Sequence, residues 1–217
     1  MPQTLHLISL TLALGPQRKV KVEGILRAGE PVVLQGPSGC GKTSLLRALA
    51  GLREIESGEV RLDERNLLNV GLEDRRAGFV FQSPALFSHL SVEENLIFPL
   101  RFQKKFAHWS LDLQQRRARE FLARAGLESL AERGVEALSG GEKQRLSLVR
   151  ALIWEPDYLL LDEAFSAIDK EKRLDIQKWI LEILRERPIP TLIVSHDSED
   201  ARAFNARVVI WAEDLKI

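Results

Sequence analysis

The chain predicts an α/β fold: a mostly parallel sheet core with antiparallel edge strands and a helical subdomain. Three observations carry that reading. Short apolar strands open the sequence, a glycine-rich turn joins the third of them to a helix, and strands alternate with helices from Ser139 onward. At 217 residues the chain is long enough for one globular unit with a sizeable core, in two lobes.

The elements follow in order. Leu5 to Leu14 largely alternates, with Leu10, Leu12 and Leu14 on one side. His6, Ser9 and Thr11 break the apolar run and no basic start precedes it, so an edge strand is expected rather than a signal peptide. Strands are expected at Val20 to Leu26, Pro31 to Gln35 and Glu59 to Leu62, with a helix over Thr43 to Ala50 carrying Leu45, Leu46 and Leu49. From Ser91 the character turns helical, because Ser91-Val92-Glu93-Glu94 reads as a capping box. Leu111 to Ala125 is charged and amphipathic, and Gly126 closes it. Ser139 and Glu142 make a second capping box for a helix running to Trp154. Strands at Tyr158 to Asp162, Thr191 to Ser195 and Val208 to Trp211 complete the parallel pattern. The last of these lies close to Ile217, so no appended regulatory domain is expected.

Composition excludes several functions. Lys plus Arg and Asp plus Glu are both 31, so no charge excess favours nucleic acid or an anionic membrane. No apolar run approaches the roughly 20 residues of a membrane-spanning helix, so any membrane role borrows its span from another polypeptide. Cys40 is the only cysteine, which excludes an intrachain disulfide. Its place near a helix start is compatible with thiol reactivity or with a merely small residue in the loop.

The chemistry concentrates in Gly36-Pro37-Ser38-Gly39-Cys40-Gly41-Lys42-Thr43, followed by Ser44. Glycines let the backbone wrap phosphates where a Cβ would clash, and the following helix N-terminus offers positive partial charge. Lys42 would reach the β- and γ-phosphate oxygens, and the Thr43 hydroxyl would ligate Mg²⁺. Tyr158-Leu159-Leu160-Leu161-Asp162-Glu163 is an apolar strand ending in two carboxylates. Strand alternation gives them different tasks: Asp162 to hold Mg²⁺, Glu163 to orient or deprotonate the attacking water. Ser139-Gly140-Gly141 opens a second helix N-terminus fit for an anion. One phosphate loop already exists, so the surplus site implies a phosphate held by a second subunit.

With these motifs in view, the chain resembles the nucleotide-binding subunit of an ABC transporter over nearly its whole length. The P-loop NTPase fold of the ABC-ATPase type is what the resemblance implies, with 1–82 and 140–217 forming a RecA-like core lobe and 83–139 the helical signature subdomain. It also implies roles. Gln82, in Phe79-Val80-Phe81-Gln82, matches the glutamine that contacts Mg²⁺ and senses the membrane partner. Ser166-Ala167-Ile168-Asp169 resembles the loop that crosses the dimer interface, and His196 matches the histidine that contacts the γ-phosphate. ATP and Mg²⁺ would lie between the P-loop of one subunit and Ser139-Gly140-Gly141 of the other, and ATP binding would close the pair. The implied partners are a second copy or a closely related ATPase subunit, transmembrane permease subunits, and a solute-binding protein as an optional third, with no nucleic acid. The implied place is the cytoplasmic face of the inner membrane, as a peripheral translocase subunit. A soluble ABC machine of DNA repair, chromosome maintenance or translation is the rival reading. Those relatives carry coiled-coil insertions, zinc-binding cysteines, second cassettes or basic extensions, which this sequence lacks.

Four departures stand out. No Phe, Tyr or Trp precedes Phe79, so the aromatic that stacks on adenine is missing; His6, Arg18 or an aliphatic side chain is left to stand in, and base selectivity is expected to be weak. Ala164 follows Glu163 where proline is usual, and Glu142 replaces a commoner glutamine, its side chain expected to point away from the phosphate. Glu132-Arg133-Gly134-Val135 is exporter-like while Phe81 to Leu100 is importer-like, leaving transport direction open. Phe81, Phe87, Phe98, Phe102, Phe106 and Trp109 mark the helical insert as the partner-docking region, most of them expected in its core and one or two lining a groove.

Overall fold

The computed structural model describes residues 3–217 and separates into two compact units. The first takes the chain through Phe79, then Asp157–Glu163 and Leu181–Ile217; the second takes Val80–Pro156 and Ala164–Ile180.

Two five-stranded sheets build the first unit. One runs β10 (Asp214–Lys216), β2 (Lys19–Arg27), β1 (Thr4–Ala13), β4 (Ser57–Leu62), β5 (Arg65–Asn66), antiparallel except for the parallel β10–β2 pair. The other runs β6 (Ala77–Val80), β7 (Tyr158–Asp162), β8 (Thr191–Val194), β3 (Val32–Gln35), β9 (Arg207–Ile210), with parallel pairing from β7 through β9. The antiparallel strands thus form a sheet of their own beside the parallel one.

The first strand is not an edge strand. β1 lies in the middle of its sheet, paired with β2 on one side and β4 on the other, and the short β10 and β5 take the edges. The polar interruptions that suggested an edge mark a bulge instead. Ser9 adopts φ 47°, and the register of both pairings shifts beside it. The buried face accordingly changes from Leu5 and Leu7 to Leu10 and Leu12, all at 1% exposure or less. Gly58 of β4 accepts the bulge, since a Cβ there would stand 2.5 Å from the Ile8 and Ser9 carbonyl oxygens.

Helix α1 (Lys42–Leu49) shares one core with both sheets: Leu45, Leu46 and Leu49 are fully buried among Leu10, Leu12, Leu34, Tyr158 and Leu160. Each such leucine contributes about 1.5–3 kcal/mol of transfer free energy. The Tyr158 hydroxyl donates to the Leu49 carbonyl at 3.0 Å, satisfying one of the orphan acceptors at the helix end. β7 and β8 are buried along their whole length, as continuous apolar strands of a covered parallel sheet must be.

The short α2 (Leu72–Arg75) stays in the first unit, and the second holds α3 (Val92–Phe102), α4 (Leu111–Arg124), α5 (Gly140–Leu152) and the start of α6 (Lys170–Glu186). Both capping boxes form, Ser91 with Glu94 and Ser139 with Glu142. Fully buried Asn95 accepts from the Phe87 N–H at 2.9 Å and donates to the Phe87 and Ser91 carbonyls, pinning the preceding loop to α3. Arg145 of α5 donates to the Ala125 carbonyl at 2.9 Å, tying α5 to the end of α4. Of the six aromatics in this segment, only Phe106 is fully buried, and Phe102 is 69% exposed. The rings this unit buries are instead Phe106, Trp154, Phe165 and Trp179, three of them outside the insert.

Candidate nucleotide site

In the first unit, β3 delivers the chain into Gly36 at φ 159°, and Gly39 and Gly41 turn the loop at φ 73° and 124°. Gly41 is the N-cap of α1 and supplies no side-chain capping bond, so the cap itself answers none of the first N–H groups of the helix. Lys42, 5% exposed, folds its ammonium back under the loop and donates to the Gly36 carbonyl at 2.7 Å and the Pro37 carbonyl at 2.8 Å. Its cysteine neighbour, Cys40, is buried, with Sγ at 3.8 Å from Lys42 Nζ. Pro37, Ser38 and Gly39 are the exposed rim of the loop.

Thr43 donates its hydroxyl to the Asp162 carboxylate at 3.0 Å. Asp162 is 2% exposed at the end of β7, and burial pushes its carboxyl above the ordinary aspartate range, against the Thr43 hydrogen bond. Glu163, the next residue, has a φ of 46°, a left-handed conformation that costs a non-glycine residue about 1–3 kcal/mol. Its N–H donates to the Val194 carbonyl at 3.0 Å, anchoring the turn to β8. The strained turn brings Glu163 Oε1 to 3.0 Å from His196 Nε2. The loop carrying His196 is fixed by Ser195, whose hydroxyl donates to buried Asp200 at 2.5 Å and accepts from the Asp197 N–H at 3.0 Å. Ala164 is fully buried in the place where a proline was expected.

Lys42, Thr43, Asp162, Glu163 and His196 therefore meet in one unit although more than 150 residues separate the first from the last. Gln82, Ser139, Gly140 and Gly141 belong to the other unit. There Ser139 and Gly140 are exposed, and the Ser139 hydroxyl accepts from the Glu142 N–H at 3.3 Å. Glu142 turns back onto Ser139, accepting from its N–H at 2.8 Å and its hydroxyl at 2.7 Å, and those bonds hold its carboxyl below the usual range. A Cβ at Gly141 would lie 3.1 Å from the Ala167 carbonyl oxygen, so the glycine permits close approach of the Ser166–Asp169 turn.

Several site contacts were not legible beforehand. Trp211 and Leu14 lie against the glycines of the loop, and Arg53 joins Ser44 to the first strand, donating to Ser44 Oγ at 3.2 Å and to the Ala13 carbonyl at 2.5 Å. Arg18 donates to the Gly39 carbonyl at 3.3 Å. His6 sits opposite Ile25 and Arg61, eight positions along β1 from Leu14, or about 26 Å at the usual strand rise, and is no substitute for the missing aromatic.

The sequence profile of the ABC transporter family matches residues 20–166. The chain belongs to the ABC transporter family. It is 42% identical over 185 residues to the sulfate/thiosulfate import ATP-binding protein of Xanthomonas campestris, covering 85% of this chain and 54% of that protein. It is 43% identical over 183 residues to the protein of the same name from Burkholderia mallei, covering 84% and 52%. The chain thus spans about half the length of the curated relatives it matches. Among solved structures, a dimeric ATP-binding cassette bound to ADP and Pi in a post-hydrolysis state superposes with a TM-score of 0.86 at 30% identity, over 98% of this chain and 96% of that one. This ABC cassette therefore has the expected α/β ABC-ATPase fold.

Proposed function

We propose that this ABC family member is the ATP-binding and hydrolysing subunit of a membrane transporter, acting as a dimer with separate transmembrane permeases. The observation that carries the reading is the Glu163–His196 contact at 3.0 Å beside buried Asp162 and Thr43, at the mouth of a glycine loop holding a buried lysine.

The residues fit both ATP and Mg²⁺. The uncapped start of α1 and the loop amides suit a triphosphate, and the Thr43 hydroxyl with the Asp162 carboxylate is an all-oxygen pair suited to Mg²⁺. Held by Thr43 and Asp162, Mg²⁺ would supply positive charge against the negative charge that develops on the phosphates. Lys42 would exchange its two loop carbonyls for phosphate oxygens, spreading the same charge. Glu163 would accept the proton of the attacking water, and His196 would hold that carboxylate in place while presenting its ring to the γ-phosphate. Ser139, Gly140 and Gly141 would act on the ATP of the partner chain, and Gln82 would report permease movement.

The permease side is assigned to the second unit. Phe87, Phe98 and Phe102 stack in series at 4.6 and 5.0 Å, and Arg150 lies over the Phe87 ring at 5.3 Å. Exposed Phe102 at the end of this ladder suits the apolar face of a short permease helix. No helix among the described residues is long and apolar enough to cross a membrane, which agrees with a peripheral subunit. The import ATP-binding proteins among its relatives favour import as the direction; the permease would choose the solute.

The Glu163→Gln variant tests the reading. Turnover should fall by about 10²–10⁴-fold with nucleotide affinity retained, and ATP should stabilise a dimer. Purified with Mg-ATP from detergent-solubilised membranes, it should carry a multi-spanning protein at matched stoichiometry. Wild-type turnover would remove Glu163 from its role, and recovery only from the soluble fraction with nucleic acid or ribosomes would favour a soluble machine.

A further inference from the structure

The phosphate loop is gripped from outside by residues that follow two other strands, Leu14 after β1 and Trp211 after β9. The Trp211 backbone N–H donates to the Gln35 carbonyl at 2.7 Å, which sets this residue beside the point where the chain leaves β3. A Cβ on Gly36 would lie 2.5 Å from Trp211 Cβ, and a Cβ on Gly41 would lie 3.0 Å from Trp211 Cζ2. The indole therefore runs along the flank of the loop from its first glycine to its last. Leu14 closes on the same end, its two methyl carbons 2.6 and 2.9 Å from a Cβ placed on Gly41. Between these ends the rim residues are exposed, and the only outside side chain reaching a rim carbonyl among the described contacts is Arg18, on Gly39.

Glycines give the loop its fit to phosphate and also the most backbone freedom to lose. Something must hold the two ends at a fixed separation if binding is not to carry the whole cost of ordering the loop. Trp211 touches both ends at once. The other three tryptophans, Trp109, Trp154 and Trp179, all belong to the second unit, so Trp211 is also the sole indole of the first.

We propose that Trp211 is a positioning residue of the phosphate loop, acting through Gly36 and Gly41 to preorganise it for a nucleoside triphosphate's polyphosphate. The inference rests on the loop binding nucleotide, as argued above. Trp211→Ala should raise KM for ATP about tenfold while kcat stays within about threefold, because no reacting group is touched. Trp211→Phe, whose ring still reaches along the flank, should recover most of the loss, and Trp211→Leu should recover little.

Two further readouts separate this role from others. Inorganic tripolyphosphate, measured by competition, should lose affinity in Trp211→Ala in parallel with ATP. Loss for ATP alone would mean that the indole meets the base, and would overturn the proposal. The emission difference between wild type and Trp211→Phe should shift when ADP or ATP is added without Mg²⁺; an unmoved difference spectrum would overturn it as well. A lowered melting temperature with wild-type KM in all three variants would make Trp211 a core residue only. Wild-type protein that binds no nucleotide would defeat the nucleotide reading itself, a result distinct from each of these.

Discussion

Two helix N-termini in this molecule are built in opposite ways. α1 starts at Gly41 with no side-chain cap and a buried lysine beneath it, whereas α5 starts at Ser139 with a complete capping box. The first leaves its donors for a ligand and shields the countercharge within the fold. The second is satisfied by its own Ser139 and Glu142 and stands exposed, so its stability does not depend on a phosphate. In the proposed reading, one end binds nucleotide in its own chain and the other completes a site elsewhere.

That contrast can be broken most severely at Lys42. Lys42→Ala removes the only ammonium seen bonding to the loop carbonyls among the described contacts and should weaken ATP binding and turnover by about a hundredfold or more, read by titration and phosphate release. Asp162 sharpens the comparison through pH. Its carboxyl is raised by burial, so it takes up a proton at a higher pH than an exposed aspartate, and Mg²⁺ affinity should fall as pH drops through that raised value. By linkage its own stability contribution has the opposite sense: it is fullest below the unfolded-state value and is lost as pH rises through the folded one. Asp162→Asn should abolish the pH dependence of Mg²⁺ affinity along with most of the affinity. Ser139→Ala should cost only about 1 kcal/mol of stability, the ordinary price of a lost N-cap, visible as a lower melting temperature. Least of all, exchanging ATP for GTP should change turnover by only about two- to threefold, since the β1–β2 turn offers Leu14 and Arg18 but no aromatic plane. A strong ATP preference in a side-by-side assay would show that another group reads the base.

The same contrast explains what could be read from the chain alone. The β7 strand and both capping boxes depend on local pattern, and local pattern was enough to find them. Long-range pairing was not. Ser9 reads as an interruption of a strand, and only the partners on both sides turn it into a bulge within a central strand. Trp211 ends an apolar run like any strand-final aromatic; its importance comes from β9 lying beside β3, which no spacing encodes. The Glu163–His196 contact needed the strained turn after Asp162, and a positive φ at glutamate has no sequence signal. The six aromatics misled for a related reason: ring content alone does not say which rings the core takes in, and Trp154, Phe165 and Trp179 are buried while Phe102 is not.

If the capped, exposed helix start of one chain completes the open loop of another, two disabled chains should restore each other when mixed. Lys42→Ala has a dead loop with an intact Ser139 segment; Ser139→Phe has an intact loop with a blocked segment. Each alone should be inactive. Random pairing in equal amounts should restore about a quarter of the wild-type rate, because half of the dimers would hold one intact composite site. Activity no greater than the sum of the separate variants would mean that loop and segment serve within one chain and not across the dimer.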